Sequence, residues 1–555
     1  MRRGQVRDNT TQTDVVVIGG GPVGMTVAAL LGARRVRVQV LERNEATSDE
    51  PKAISIDDEA LRIYQSIGLA GRLLRIIVPG TGTRYYDRMG NPLFQARAEQ
   101  PRRYGYPFKN PFAQPDLERE LAQHLQGLPT ASLRMGDEVT ALSQDADGVL
   151  VRSSSGPVRA RYALACDGGR SAVREQLGIT MTGRSYPEVW LVVDVLGDYH
   201  DERYGMHHAD PVRPRVVIPG SGGRCRYEFR LYAGEGEAGV PPGFELVRRL
   251  LAPYRDITDE QIERAVTYRF HALIADRWRC GNVFLLGDAA HLMPPFAAQG
   301  LNSGLRDAAN LAWKIADVLS GRLTDAALDS YESERKPHVV ATVALSERMR
   351  RVVMTTNPRY AARRDDHLRR LLETPRGQDF FTYMRYRPQH AYSSGLLAES
   401  AAPVGTMIGQ PEVFDAAEGR ILLLDEVLGA GWVFLGIGVD AVQLASEAEY
   451  IAELRPALVQ VAAAGCTPGP SPDGVTAIED IDGRLDADLA AYQRSCVLLR
   501  PDRFIAASWA PGEVPELTSA LCLATPRNDV TDAAKGRHDH ARIRSREKAQ
   551  ACAPR

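Results

Sequence analysis

The spacing of hydrophobic positions changes several times along the chain, and each change predicts an element. Residues 14–19, Asp-Val-Val-Val-Ile-Gly, form a β-branched run of the kind found in a parallel strand buried on both faces. Residues 22–33 are small and apolar and predict a helix, and residues 36–42 (VRVQVLE) predict a second strand. The folded chain therefore opens on a β-α-β unit. Residues 57–69 predict a helix capped by Asp57, with Leu61, Tyr64 and Ile67 or Gly68 on one side, and residues 116–126 predict another. Residues 147–153 and 157–165 read as a hairpin. From about 186 to 270 strands dominate, with PRVVIP and RYEFRLY the clearest. Residues 283–287 (VFLLG) predict one more buried strand. The helix after it, 301–319, carries a stripe of Leu301, Leu305, Ala308, Ala312, Ile315 and Leu319. Residues 325–395 read as helical, basic and aromatic. Past Pro403, strands such as ILLLDEV and GWVFLGI alternate with helical stretches, which predicts a separate α/β domain.

Composition narrows the class. At 555 residues, with 44% apolar and 25% charged positions, the chain can bury a large core and enclose a cofactor. The net charge of −2 gives no field that recruits nucleic acid or an anionic membrane. No run of about eighteen apolar residues predicts a membrane span. The first residues lack the apolar centre of a secretory signal. Seven cysteines, none in a C-x-x-C pair, fit a reducing cytoplasm better than a disulfide framework or a zinc site.

Candidate chemistry begins at Gly19-Gly20-Gly21-Pro22-Val23-Gly24, a G-x-G-x-x-G between strand and helix. Gly19 permits the tight turn, Gly21 lets a pyrophosphate approach, and Gly24 lets the helix pack on the sheet. The helix N-terminus, opening at Pro22, stabilises phosphate charge. Glu42 ends the second strand, where a carboxylate can accept from ribose hydroxyls, and Arg43 follows it. This arrangement predicts a dinucleotide without deciding between NAD and FAD. Two further segments each follow a strand: Cys166-Asp167-Gly168-Gly169-Arg170-Ser171-Ala172-Val173-Arg174 and Gly287-Asp288-Ala289-Ala290-His291. Asp167 can accept hydrogen bonds, Arg174 can reach a phosphate or brace the loop, and His291 reads as packing.

In this order, the three segments resemble the GxGxxG, DG and GD fingerprints of the FAD-dependent aromatic hydroxylases, whose archetype is the p-hydroxybenzoate hydroxylase fold. The resemblance implies FAD, with Asp288 on the ribityl chain and Gln114 also near the flavin chain. It places Lys52 near the pyrophosphate, where relatives carry an arginine. Pro294-Pro295-Phe296-Ala297-Ala298-Gln299-Gly300-Leu301-Asn302 would pass the isoalloxazine ring. There Gly300, Leu301 and Asn302 begin a helix whose free N–H groups suit the anionic edge of reduced flavin. Within the family, Ile56–Arg62, Asp210–Pro214 and Met384–Pro388 resemble the 3-(3-hydroxyphenyl)propionate/3-hydroxycinnamate hydroxylases, although those carry a bulkier flavin-edge loop.

The resulting expectation is an α/β protein in which a Rossmann-like FAD-binding domain (14–80, 105–185 and 270–345) interleaves with a mixed-sheet substrate domain (81–104 and 186–269). A flexible N-terminus (1–13), a helical connection (346–399), a thioredoxin-like α/β domain (400–525) and a disordered tail (526–555) complete it. The C-terminal domain lacks C-x-x-C and reads as non-redox. The expected activity is NAD(P)H- and O2-dependent hydroxylation of a phenol, with 3-(3-hydroxyphenyl)propionate favoured and a polycyclic phenol as the alternative. Only one G-x-G-x-x-G sits at a strand–helix junction, so NADH or NADPH would dock transiently. Arg213 and Arg226 are candidate carboxylate partners; the catalytic base is unassigned, and association into a homo-oligomer is left open.

Overall fold

The computed structural model describes residues 10–524 except 81, 98–101, 203, 401, 463–464 and 467–471. Residues 1–9 and the tail expected to be disordered lie outside the described residues. Thr11–Gln12, within the segment expected to be flexible, pair in parallel with Val158 and Arg159.

The centre is a six-stranded sheet in the order Arg279–Cys280, Val283–Leu285, Tyr162–Ala165, Val15–Ile18, Val38–Glu42, Ala131–Met135. All its pairs are parallel except the first. Val15–Ile18 is buried on both faces, as its β-branched run predicts. The glycine-loop helix, Pro22–Ala33, is apolar nearly all round and is correspondingly a core helix. The expected hairpin of 147–165 divides. Gly156–Ala160 pairs antiparallel with Gly148–Ser153, but Tyr162–Ala165 leaves at Arg161 to join the parallel sheet. A continuous apolar run cannot reveal such a change of partner.

An eight-stranded mixed sheet lies beside this domain, ordered His291–Leu292, Ile262–Ala275, Met181–Val195, Cys225–Arg230, Arg215–Pro219, Gly205–His208, Thr83–Tyr86, Pro92–Ala96. Its strands Met181–Val195 and Ile262–Ala275 run across the boundaries expected at 185 and 270. One face, including Leu191, Val193, Tyr227 and Phe229, buries Val247, Leu250 and Leu251 of the helix Phe244–Leu251. On the other, Trp190 and Phe270 meet Phe296 at ring-centroid distances of 5.6 and 5.4 Å. Edge-to-face aromatic contact thus sets this sheet against the segment expected to pass the flavin.

The helix Gly300–Leu319 departs from its amphipathic reading. Its apolar stripe is buried, but so are Asn302, Arg306, Asp307, Asn310, Lys314 and Asp317. Buried charges need partners, and neighbouring elements supply them. Glu334, from the helix Ser330–Val353, accepts from Lys314 at 2.7 Å and from two nitrogens of Arg500 at 2.8 and 2.7 Å. Arg500 belongs to the C-terminal domain, a seven-stranded mixed sheet. Arg62 and Asp425 (2.6 and 2.9 Å) and Trp432 and Asp317 (2.8 Å) complete that docking. Among the described residues, no helix is long and apolar enough to cross a membrane.

Candidate functional site

The glycine loop has the form a phosphate needs. Gly19 has φ +104°, and a Cβ there would lie 2.4 Å from the Cys166 carbonyl oxygen. A Cβ on Gly24 would lie 2.0 Å from the Gly19 carbonyl oxygen, so close helix–loop packing requires glycine. At Gly21, by contrast, a Cβ would meet open space within 4 Å. The helix starting at Pro22 has neither a side-chain cap nor an acid in its first turn, so its N-terminal N–H groups remain available to an anion. Glu42 accepts from Gly20 N at 2.6 Å through one oxygen and from Asn44 N and Nδ2 at 2.9 and 2.6 Å through the other. The oxygen that takes the Gly20 N–H keeps a further lone pair for a hydroxyl. Arg43 is exposed.

Asp167 and Asp288 converge on the same sheet edge, each following a strand. Asp167 Oδ2 accepts from Val173 N at 3.1 Å, while its buried Oδ1 has no partner. Asp288 has no side-chain hydrogen bond; it is reachable by solvent although protein surrounds it. Desolvation raises its carboxyl above the usual range, against the pull of His291. An orphaned acceptor and an unengaged carboxylate in a cleft are what hydroxyl-rich cofactor chemistry would satisfy. Arg174 braces the loop, donating to Ala289 O (3.1 Å) and Gly169 O (3.0 Å), so its guanidinium is committed to backbone. His291 is fully buried against Asp307 and is a packing residue.

Gln114 accepts from Ala53 N at 2.7 Å and donates to Glu118 at 2.7 Å, fixing the loop that carries Lys52. Lys52 is exposed, 3.9 Å from Glu50. On the flavin-edge segment, Pro295 opens a 3-10 turn, and Ala298 is left-handed at φ 53°. The long helix then begins at Gly300 with no side-chain cap and no acid in its first turn. The N–H groups of Gly300, Leu301 and Asn302 lie before its first internal hydrogen bond, from Ser303 N to Gln299 O. The Asn302 side chain instead ties the helix to Asp57 N at 3.0 Å.

Arg213 and Arg226 do not come together with these groups. Arg213 pairs through two 2.8 Å bonds with Glu235. Arg226 is buried, paired with Asp194 at 2.6 and 2.9 Å, and also donates to the carbonyls of Pro51 and Lys52. It fastens the eight-stranded sheet to the Lys52 loop. Both guanidiniums already have a carboxylate partner, and sequence pattern cannot foresee such partners.

A narrow cavity lies beside Phe296, Ala297 and Gln299, walled by Tyr85, Phe108, Met349, Met384 and Tyr386 and flanked by Lys109 and Arg387. Its water-accessible core is only 20 Å³. Two walls are methionines, whose unbranched side chains repack readily. Of these residues, Met384, Tyr386 and Arg387 fall in a segment singled out for its resemblance; Lys109 and Tyr85 carried no sequence signal. A larger cavity of 410 Å³ lies between the first and C-terminal domains, but it touches neither the glycine loop nor the flavin-edge turn.

The family model described as "FAD binding domain" matches residues 12–346. The chain belongs to this family. A second model, the HcaD C-terminal domain, matches residues 405–524. A 3-(3-hydroxy-phenyl)propionate/3-hydroxycinnamic acid hydroxylase of Mycobacterium sp. (strain JLS) is 39% identical, over 93% of this chain and 92% of its own. An enzyme of the same name, numbered 2, from Burkholderia vietnamiensis (strain G4 / LMG 22486) is 35% identical over 94% and 98%. Among solved structures, the flavin-dependent monooxygenase PieE in complex with FAD and substrate aligns with a TM-score of 0.77 and 21% identity, over 92% of this chain and 98% of that one. Aklavinone-11 hydroxylase with FAD and aklavinone gives 0.72 and 22%, over 92% and 98%. These two likenesses establish the fold. The chain is an FAD-dependent hydroxylase, and FAD is its cofactor.

Proposed function

We propose that this enzyme hydroxylates 3-(3-hydroxyphenyl)propionate and 3-hydroxycinnamate to the 2,3-dihydroxy products, using O2 and NADH or NADPH. The observation that carries this reading is full-length similarity: relatives bearing that activity in their names match across both domains. The cavity agrees in chemistry, with aromatic walls for a ring and the basic side chains of Lys109 and Arg387 beside it. The polycyclic alternative has less support, because the relatives that match over most of the chain are named for the monocyclic substrates.

In this reading the pyrophosphate lies over Gly19, Gly21, Pro22 and Gly24, with Lys52 nearby. Glu42 and Asp167 take hydroxyls, Gln114 shapes the channel, and Asp288 holds the ribityl chain. Pro295 and the N–H groups of Gly300, Leu301 and Asn302 border the flavin ring. When bound, the cofactor would supply redox and oxygen-activating chemistry with electrons from NADH or NADPH. The protein orients the phenol and excludes water behind Phe296 and Trp190. The test is NADH and NADPH oxidation by purified holoenzyme with and without 3-(3-hydroxyphenyl)propionate, with products analysed by mass. Faster oxidation with the gain of one oxygen atom supports the proposal. Stimulation by polycyclic phenols alone would overturn it.

A further inference from the structure

Lys109 is the unusual residue of the cavity. Its backbone is left-handed at φ 59°, a conformation costly for a side-chain-bearing residue and often kept at functional positions. Its Nζ donates to Thr83 Oγ1 at 2.7 Å, and it has no carboxylate partner among the described residues. Around it stand Tyr85, Tyr386, His207 and Arg387. Arg387 is itself only loosely committed. Its guanidinium lies over the Phe108 ring at 4.7 Å and 3.6 Å from Asp57, a carboxylate that Arg306 already holds at 2.6 Å. Two half-buried basic side chains thus flank an aromatic slot with few acidic groups beside them.

We propose that Lys109 accepts the proton of the substrate's phenolic hydroxyl and that Arg387 receives its carboxylate. The assignment rests on the substrate reading above. The step balances: the phenol O–H breaks, an N–H forms on a neutral Lys109 amine, and the new ammonium stays against the phenolate. Phenolate is the form whose ring attacks an electrophilic oxygen. An ordinary lysine is already protonated at neutral pH and cannot accept. Burial, with the repulsion of Arg387, pushes Lys109 down to about 7, leaving part of its population free. A carboxylate on Arg387 cancels that repulsion and makes the amine more basic once substrate is seated. Burial, together with Lys109, holds His207 at about 3, so it stays neutral and does not compete as the cation. Arg387 suits the carboxylate because its planar fork binds both oxygens.

The test uses holoenzyme variants Lys109→Met, Lys109→Arg and Arg387→Gln, each first checked for FAD content. Difference absorbance of bound 3-(3-hydroxyphenyl)propionate against pH reports its ionisation, and 3-ethylphenol serves as the ligand without a carboxylate. In the parent enzyme the bound phenol should ionise at least ~10-fold more readily than in solution, and Lys109→Met should abolish this. Lys109→Arg, which keeps charge but cannot accept a proton, should hold KM within roughly threefold while kcat falls about 100-fold. Arg387→Gln should raise KM for the acid at least about 10-fold and leave 3-ethylphenol unaffected. An unchanged ionisation curve in Lys109→Met overturns the role of Lys109, and an unchanged KM in Arg387→Gln overturns that of Arg387. If the parent enzyme binds neither ligand, the substrate reading itself falls, and this inference with it.

Discussion

His291 and Asp307 meet at 2.8 Å between Nε2 and Oδ2, with both side chains wholly buried. The same Asp307 oxygen accepts the Gly287 N–H at 3.1 Å, and its other oxygen accepts from Arg335 Nε at 3.0 Å. Burial would raise the Asp307 carboxyl, but His291 and Arg335 outweigh it and hold it below the usual range. The pair fixes the turn from which Asp288 projects. Asp307→Ala leaves the buried Arg335 guanidinium without its carboxylate and should cost about 3–5 kcal/mol, read as a lower urea midpoint accompanied by loss of bound FAD. A variant with the parent midpoint and full flavin content would show that the pair does not hold this turn.

Asp288→Ala separates cofactor binding from folding. The Asp288 side chain makes no hydrogen bond among the described residues, and desolvation raises its carboxyl. Its removal should leave far-UV circular dichroism unchanged. A lost charge-assisted bond is worth about 1.5–3 kcal/mol, so FAD dissociation should rise by one to two orders of magnitude. Flavin fluorescence released on gel filtration measures this, and full retention would rule out the ribityl role.

Glu334 gives the protein an acid-sensitive joint. Burial would raise its carboxyl, but Arg500 and Lys314 pull it down from 4.5 to about 2. A depressed folded value means stability that is complete above the unfolded value and lost as pH falls toward the folded one. The contribution, roughly 3 kcal/mol, should therefore fade between about pH 4.5 and 2. Glu334→Gln should be less stable than the parent at pH 7, with the gap narrowed by more than half at pH 3. Urea unfolding at the two pH values decides; a gap independent of pH would contradict the assignment.

Cys496 tests the non-redox reading of the C-terminal domain. It is fully buried, and burial pushes its thiol up to about 12, so it holds almost no reactive thiolate at neutral pH. Cys496→Ala should keep the parent's rate of NADH oxidation and the same insensitivity to mild thiol oxidants. A loss of turnover with the fold intact would restore a thiol role.

Local chemistry in the sequence was enough to determine the parts that depend on neighbours along the chain. Gly19, Gly21 and Gly24 announce a phosphate loop because a turn, an open face and a close contact are constraints within six residues. Asp57 caps its helix as read, accepting from Ala60 N at 3.0 Å. The uncapped start at Gly300 follows from the residues beside it. Tertiary structure alone decided what those parts meet. It paired Arg213 with Glu235 and Arg226 with Asp194, turned the polar face of Gly300–Leu319 inward against Glu334 and Arg335, and brought Lys109 to Arg387 across more than 270 residues of sequence. The physical reason is that periodicity reports whether a side chain is apolar, not which partner satisfies a buried charge. That partner is set by long-range packing, which no local pattern records.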